Sequence, residues 1–312
     1  MKGIGSVKEN LDTEKRISIT PETVKKLTQL NFTVFIEKNY GNHLGIVDTE
    51  YKNNGAVLQN SAKEVFEKSD IILKVNCPSH DEINLFKEKS ILIGQFDSKI
   101  DKEKFNILIK KDIKIFSLNL LPRITRAQSM DVLSSQANLA GYRAVIESVR
   151  EFGKAVPMMM TAAGTITPAK ILVIGAGVAG LQAIATAKRL GGIVSATDVR
   201  TAAKEEVESL GGTFLIVEGA ENLETKEGYA KEAGEDFKKK QSKMLEDSVK
   251  KNDIIICTAL IPGRKAPRII SEDMVKSMKA GSIIYDLAVS QGGNSAFSEA
   301  DKVNIINGVK IM

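Results

Sequence analysis

One glycine-rich turn near the middle of the chain constrains its fold more than any other feature of the sequence. Four apolar residues, 171–174, predict a buried strand, the next six read GAGVAG, and an apolar-periodic stretch to residue 190 predicts a helix. In such a unit the first glycine permits a tight turn, the second lets a pyrophosphate approach the backbone, and the third allows close helix–strand packing. The helix N-terminus also favours an anion. The pattern therefore predicts a dinucleotide site at Gly175, Gly177 and Gly180.

An acidic residue at the end of the next predicted strand indicates which dinucleotide is bound. Residues 193–197 predict this strand, and Asp198 follows it, 18 residues after Gly180. A carboxylate in this place accepts hydrogen bonds from the adenosine ribose hydroxyls and repels the 2′-phosphate of NADP. We therefore expect NAD(H) as the cofactor. Arg200, two residues further on, is either a surface arginine or a second contact at the same place.

Strands alternate with helices along the whole chain, which predicts an α/β fold with parallel sheets. Strands are predicted in the first half at residues 16–19, 33–37, 71–75, 91–94 and 113–118. In the second half they are predicted at residues 171–174, 193–197, 213–217, 254–258 and 282–287. The predicted fold is two Rossmann-like doubly wound domains with a cleft between them. Its parts are an N-terminal α/β domain over 1–125, a connecting helix over 126–152 and an NAD-binding Rossmann domain over 153–312.

Polar side chains recur at three-residue steps where the long helix is predicted to begin. Thr125 and Gln128 have the spacing of a capping box, which places the start of this helix at residue 125. Gln128, Asp131 and Ser134 would then share one side of the first two turns. They form either a functional site or no more than helix-capping and dipole interactions.

Composition excludes several classes of protein. The 312 residues include two cysteines, 180 positions apart, and two histidines, which excludes a disulfide scaffold and a cysteine- or histidine-based metal site. The net charge is +5, but the basic residues form no polybasic block, and there is no tryptophan. No nucleic-acid surface is therefore expected. No run of ~20 apolar residues is present, so we expect no direct membrane insertion.

Three segments, residues 123–146, 175–189 and 258–264, resemble the NAD(H)-binding domain of the proton-translocating NAD(P) transhydrogenase alpha subunit. The stretch 14–22 is shared more widely, including with alanine dehydrogenases, and the resemblance covers essentially the whole chain. It implies a homodimer that binds NAD(H) and passes hydride to NADP⁺ on a separate NADP(H)-binding component. A membrane-spanning component would couple this transfer to proton translocation. The chain would be inactive alone, cytoplasmic, and peripheral at the inner membrane through these partners.

The resemblance also implies roles for individual residues. Around the nicotinamide and its ribose it places Arg123, Gln128, Asp131 and Ser134. At the diphosphate, beside the three glycines, it places Val178 and Ala179. At the adenosine it places Asp198, Val199 and Arg200. A mobile loop would contribute Gly228 and Tyr229, and the pocket would be completed by Gln241, Thr258, Ala259 and Leu260.

Two alternatives remain open. One is a stand-alone, NAD-dependent, alanine-dehydrogenase-like oxidoreductase. In those relatives a catalytic His lies in the strand that corresponds to residues 91–96, near Gln95 of this chain, and a catalytic Asp lies at the position of Ser290. Arg16 and Lys74, which resemble their substrate-binding cations, are kept. The other is a non-catalytic NAD-binding fragment, because family members continue past residue 312 with a strand and helix that return to the first domain. That return segment is expected to be missing here.

Overall fold

The computed structural model describes residues 2–97, 100–122, 124–217, 234–261 and 264–312. The chain divides into two compact units, Met1–Leu133 and Ser134–Met312. The sheet of the first unit is parallel and that of the second is parallel except for its antiparallel edge strand, residues 304–306, and helices lie between the strands, which confirms the predicted α/β class. None of the described helices is both long enough and apolar enough to cross a lipid bilayer.

The first unit contains, in its described residues, a six-stranded parallel sheet. Its strands are β1 (Gly3–Ser6), β2 (Thr33–Glu37), β3 (Val57–Gln59), β4 (Ile71–Leu73), β5 (Ile91–Gly94) and β6 (Lys114–Ser117). Its helices are α1 (Pro21–Gln29), α2 (Asp48–Asn53), α3 (Ala62–Lys68), α4 (His80–Leu85) and α5 (Lys102–Lys110). The strand order β3-β2-β1-β4-β5-β6 is that of a doubly wound fold.

The two central strands of this sheet are β1 and β4, and of these β1 was not predicted. The strand predicted at residues 16–19 is absent from the described structure. β1 reads Gly-Ile-Gly-Ser, a poor strand sequence by propensity. Its glycines allow close packing instead, because a Cβ at Gly5 would lie 2.2 Å from Ser69 Oγ on the segment after α3. The stretch 16–19 forms no strand, and Ser18 meets the sheet through side-chain hydrogen bonds instead: its backbone N–H donates to Tyr40 Oη at 2.9 Å, and its Oγ donates to the Leu73 carbonyl oxygen of β4 at 3.0 Å.

The second unit contains a larger sheet of seven described strands. The strands are β9 (Lys170–Ile174), β10 (Ile193–Thr197), β11 (Thr213–Phe214), β12 (Ile254–Cys257), β13 (Ile283–Asp286), β14 (Asn304–Ile306) and β15 (Val309–Ile311), in the order β11-β10-β9-β12-β13-β15-β14. A separate antiparallel hairpin is formed by β7 (Met159–Thr161) and β8 (Gly164–Ile166). The helices are α6 (Val132–Glu151), α7 (Val178–Arg189), α8 (Ala203–Ser209), α9 (Glu235–Val249) and α10 (Glu272–Ser277).

Strand β9 lies at the middle of this sheet, with β10 on one side and β12 on the other. Ile171, Leu172, Val173 and Ile174 are all buried, because helices cover both faces of a doubly wound sheet. The two hydrophobic clusters of the unit take alternate residues of β9, one cluster on each face. This burial places the turn after β9 on a rigid support.

The single helix predicted from residue 125 is divided in the structure. Thr125–Met130 form a 3₁₀ segment capped by Ile124 without a side-chain hydrogen bond, so the predicted capping box is wrong. Asp131, with φ −75° and ψ 82°, leaves the helical region, and α6 begins at the next residue. Aspartate favours this position because it competes for backbone hydrogen bonds in helix interiors and accepts them at helix starts.

Candidate functional site

The glycine motif forms the turn from β9 into α7. Gly175 has φ +93°, a left-handed conformation that glycine adopts at little cost. A Cβ at Gly180 would lie only 1.9 Å from the Gly175 carbonyl oxygen, so this glycine permits the close approach of helix and turn. Gly177 caps α7 without a side-chain hydrogen bond, and a Cβ there would meet nothing within 4 Å. The start of α7 thus has no side-chain cap and open space beside Gly177, and a helix N-terminus of this kind favours an anion.

Helix α6 packs closely against the first turn of α7. A Cβ at Gly141 of α6 would lie 2.0 Å from the Ala179 carbonyl oxygen, in the first turn of α7. The sequence motifs did not indicate Gly141, although a buried glycine inside a helix is itself a signal of close packing. The first turn of α7 is thus held by two glycine contacts, one from its own loop and one from α6.

Asp198 and Arg200 form an ion pair at the end of β10, beside the glycine turn. Asp198 Oδ2 accepts a hydrogen bond from the Ala176 backbone N–H at 2.7 Å. Asp198 Oδ1 accepts from the Arg200 backbone N–H at 2.8 Å and from Arg200 Nε at 3.0 Å. Arg200 Nη2 also donates to Asp198 Oδ2 and to the Ala176 carbonyl oxygen, both at 3.1 Å. Arg200 is therefore no free surface arginine, because its side chain is mostly buried and paired with Asp198.

Thr258, directly after β12, closes the other side of the turn. Its Oγ1 donates to the Gly175 carbonyl oxygen at 2.8 Å, and a Cβ at Gly175 would lie 3.0 Å from the Ala259 nitrogen. The preceding Cys257 is fully buried, and burial raises the pKa of its thiol, so this cysteine has a packing role rather than a nucleophilic one. The glycine turn therefore lies between the ends of β10 and β12, where doubly wound sheets bind ligands.

Two buried polar residues that the sequence did not single out brace this end of β12. Asn294 Oδ1 accepts from the Ala259 backbone N–H at 3.0 Å, and Asn294 Nδ2 donates to the Ala259 carbonyl oxygen at 2.8 Å. Asp286, at the end of β13, accepts from the Asn294 backbone N–H at 2.8 Å. The sequence signal at this place is the pair Gly292-Gly293, whose φ values of +103° and +76° form the turn before Asn294.

The other predicted site residues lie in several places. Val178 and Ala179 are in the first turn of α7, Val199 lies between Asp198 and Arg200, Gln241 is buried on α9, and Leu260 is exposed two residues after Thr258. Gln128 is exposed in the 3₁₀ segment, and Asp131 and Ser134 flank the start of α6, so the shared helix face predicted for them is wrong. Arg123, Gly228 and Tyr229 lie outside the described residues.

The two cations that resemble a dehydrogenase substrate site are ion-paired in the first unit. Lys74 Nζ lies 2.7 Å from Glu82 and 3.5 Å from Glu9, and its side chain is only 3% exposed. Burial raises the pKa of Glu9, and the nearby ammonium only partly offsets this effect. Arg16 Nη2 lies 2.7 Å from Glu14. Both cations therefore already have an acidic partner within the first unit.

Comparisons with known proteins agree over the whole chain. Residues 5–140 match the family model of the alanine dehydrogenase/PNT N-terminal domain, and residues 144–312 match that of the C-terminal domain. An NAD(P) transhydrogenase alpha-subunit protein of Rhodospirillum rubrum is 50% identical over 98% of this chain and 81% of its own length. An alanine dehydrogenase of Methanococcus maripaludis is 30% identical over 93% of this chain and 73% of its own. The solved transhydrogenase of Sinorhizobium meliloti has a TM-score of 0.88 and 45% identity over 99% of this chain and 85% of its own.

Proposed function

Because the chain belongs to the alanine dehydrogenase/PNT family, we propose that it is the NAD(H)-binding component of a proton-translocating NAD(P) transhydrogenase. Identity of 50% to a transhydrogenase alpha-subunit protein supports a role as an oxidoreductase component that binds a nicotinamide nucleotide. The observation that carries the proposal is the junction at Gly175, where the ends of β10 and β12 meet a helix N-terminus that has no side-chain cap.

The described residues suggest how the dinucleotide is held. The first turn of α7, with Gly177, Val178 and Ala179, binds the diphosphate through backbone N–H groups. Asp198 and Arg200 mark the adenosine side, at the end of β10, and the carboxylate favours NAD(H) over NADP(H). The remaining proposed cofactor contacts are Gly175, Gly180, Val199, Gly228, Tyr229, Gln241, Thr258, Ala259 and Leu260.

The chemistry asked of the protein side chains is small. When NADH is bound, it supplies a hydride that passes directly to NADP⁺ on the partner component, so no general acid or base is required. The chain's own residues have to position the nicotinamide and exclude water. We assign this positioning to Arg123, Gln128, Asp131 and Ser134. Coupling to proton translocation then resides in a membrane-spanning partner, which places this chain at the inner membrane only through that partner.

Reconstitution tests this function. The chain alone should bind NADH more tightly than NADPH and show no turnover with NADP⁺. Mixed with the NADP(H)-binding component of a related transhydrogenase, it should reduce NADP⁺ at the expense of NADH. NADH binding without any transfer to a compatible, NADP⁺-loaded partner would overturn the proposal and favour a non-catalytic NAD-binding module.

A stand-alone alanine-dehydrogenase-like activity is the second candidate, favoured by the 30% identity to such an enzyme. Arg16 and Lys74 are kept, but each already has a carboxylate partner. Gln95 lies near the position of those relatives' catalytic histidine, and Ser290 lies at the position of their catalytic aspartate. Oxidation of NADH by the isolated chain with pyruvate and ammonium would support this second function, and we expect none.

Replacing Asp131 by asparagine should lower the reconstituted transfer rate about 10- to 100-fold, the cost of losing a charge-assisted hydrogen bond at the reacting end of the cofactor. The fold should be unchanged, and the adenosine half of NADH should bind as it does in the wild type. Asp301→Asn, at an exposed turn, is the matched control and should leave the rate unchanged. An unchanged rate for Asp131→Asn would show that Asp131 has only a structural role at the start of α6.

The exposed hairpin β7–β8 supports the proposed homodimer. All six of its strand residues are exposed, with Met159 46% and Met160 80% accessible, and an isolated two-stranded hairpin is only marginally stable in water. A second copy covering this apolar hairpin would stabilise it.

Met160→Asp should therefore raise the dimer dissociation constant at least about tenfold, because a buried unpaired charge is costly. Val303→Asp places the same charge at another exposed apolar residue, 57% accessible in a loop of the second unit, and should have no effect. Sedimentation equilibrium measures both constants. A Met160→Asp protein that dimerises as tightly as the wild type would show that the hairpin is not the dimer contact.

A further inference from the structure

The loop after β13 is folded around one buried carboxylate. Asp286 is 2% exposed, and its Oδ1 accepts from the Ala288 backbone N–H at 2.9 Å. Its Oδ2 accepts from the backbone N–H groups of Asn294 at 2.8 Å and Ser295 at 2.9 Å, and from Ser298 Oγ at 2.7 Å. Four hydrogen bonds to one buried carboxyl group tie residues 288, 294, 295 and 298 to the end of β13. Asn294, fully buried, is fixed by this loop.

The side chain of Asn294 binds the loop after β12 as a neighbouring strand would. It accepts from the N–H of Ala259 and donates to its carbonyl oxygen, so both backbone groups of this residue are used. The same amide nitrogen donates to the Pro267 carbonyl oxygen at 2.9 Å. One side chain therefore sets the position of Ala259 through a donor and an acceptor at once.

The contacts continue from Ala259 to the glycine turn. Thr258 Oγ1 donates to the Gly175 carbonyl oxygen, and a Cβ at Gly175 would press on both Thr258 and the Ala259 nitrogen. A hydrogen-bonded path thus leads from Asp286 through Asn294 and the end of β12 to the residue that begins the glycine motif.

We propose that Asn294 is a positioning residue for the nicotinamide half of the dinucleotide, an inference that rests on the proposed function. The adenosine side lies at the end of β10, marked by Asp198, and β12 lies on the opposite side of β9. A dinucleotide that crosses this switch point therefore places its other half against Thr258, Ala259 and Leu260. Asn294 positions these residues through its hydrogen bonds to Ala259 and does not itself contact the cofactor.

Asn294→Ala tests the proposal through two ligands, NADH and AMP, bound to the full chain. Loss of the Ala259 hydrogen bonds should raise the dissociation constant of NADH about tenfold. AMP, which occupies only the adenosine side, should bind as it does to the wild type. A purely structural role would weaken both ligands alike or lower only the unfolding temperature. Asn252→Ala removes another buried asparagine, whose Nδ2 donates to the Ser248 carbonyl oxygen at 2.9 Å before the start of β12, and should leave both affinities unchanged.

The following results would overturn the inference or the proposed function. NADH that binds Asn294→Ala as tightly as the wild type, or AMP that is weakened as much as NADH, overturns the inference. A wild-type chain that binds neither ligand instead overturns the proposed function. If Asn294→Ala does not fold, hydrogen exchange of the wild type decides, since NADH should slow the amides of the 292–296 loop together with those of residues 258–260. Protection confined to residues 258–260 would overturn the inference.

Discussion

Replacing Gly180 by alanine should lower the free energy of unfolding by about 1–3 kcal/mol and weaken NADH binding by about tenfold or more. The added Cβ would lie 1.9 Å from the Gly175 carbonyl oxygen, a backbone atom that cannot rotate away. Helix α7 must then move off the glycine turn, and the N–H groups of its first turn move with it. Stability and affinity should therefore fall together.

Two other glycines separate these effects. At Gly177 a Cβ would meet no atom of the described residues within 4 Å, so Gly177→Ala should leave the unfolding temperature nearly unchanged. It should still weaken NADH binding, since the methyl group would occupy the space proposed for the diphosphate. At Gly153, also open and remote in sequence from the motif, alanine should change neither quantity. Thermal unfolding and NADH titration of the three variants measure the pattern. Full NADH affinity in Gly177→Ala would contradict a diphosphate at this turn.

Replacing Asp198 by asparagine should reduce the preference for NADH over NADPH at least about tenfold, the largest change in specificity that we expect from one substitution. In the structure the carboxylate neutralises the guanidinium of Arg200 and accepts three of its hydrogen bonds in all, one from the backbone and two from the side chain. An amide keeps the shape and an acceptor for the Ala176 N–H but removes the negative charge. Arg200 then becomes available to the 2′-phosphate of NADPH, a group for which a planar guanidinium is well suited.

The matched variants assign this effect to the pair. Arg200→Ala keeps the carboxylate and should continue to reject NADPH, while Asp198→Asn/Arg200→Ala should lose the NADPH affinity that Asp198→Asn gains. Dissociation constants at low and high salt complete the test, because binding by a freed cation should weaken as salt rises. If Asp198→Asn still rejects NADPH as the wild type does, this pair does not set the specificity.

The sequence predictions succeeded where the interacting residues are neighbours in sequence and failed where they are far apart. The glycine turn could be predicted because its determinants are neighbours in sequence, and φ +93° at Gly175 agrees with the tight turn expected there. Strand β1 was missed because Gly-Ile-Gly-Ser lacks strand propensity and owes its position to packing against α3. Asn294 could not be found from local sequence, since its partners Ala259 and Pro267 lie 35 and 27 residues away. The Asp198–Arg200 pair depends on the conformation of the turn between them, which the residue types alone leave open.

The hairpin with its exposed methionines also has a chemical consequence. Oxidation converts a methionine thioether to a sulfoxide, which turns a flexible apolar side chain into a polar one. Met158, Met159 and Met160, between 46% and 80% accessible, are within reach of peroxide in a single chain. In the proposed homodimer the partner would cover them. Self-association would then protect these methionines from oxidation, and their apolar side chains are what would make self-association favourable.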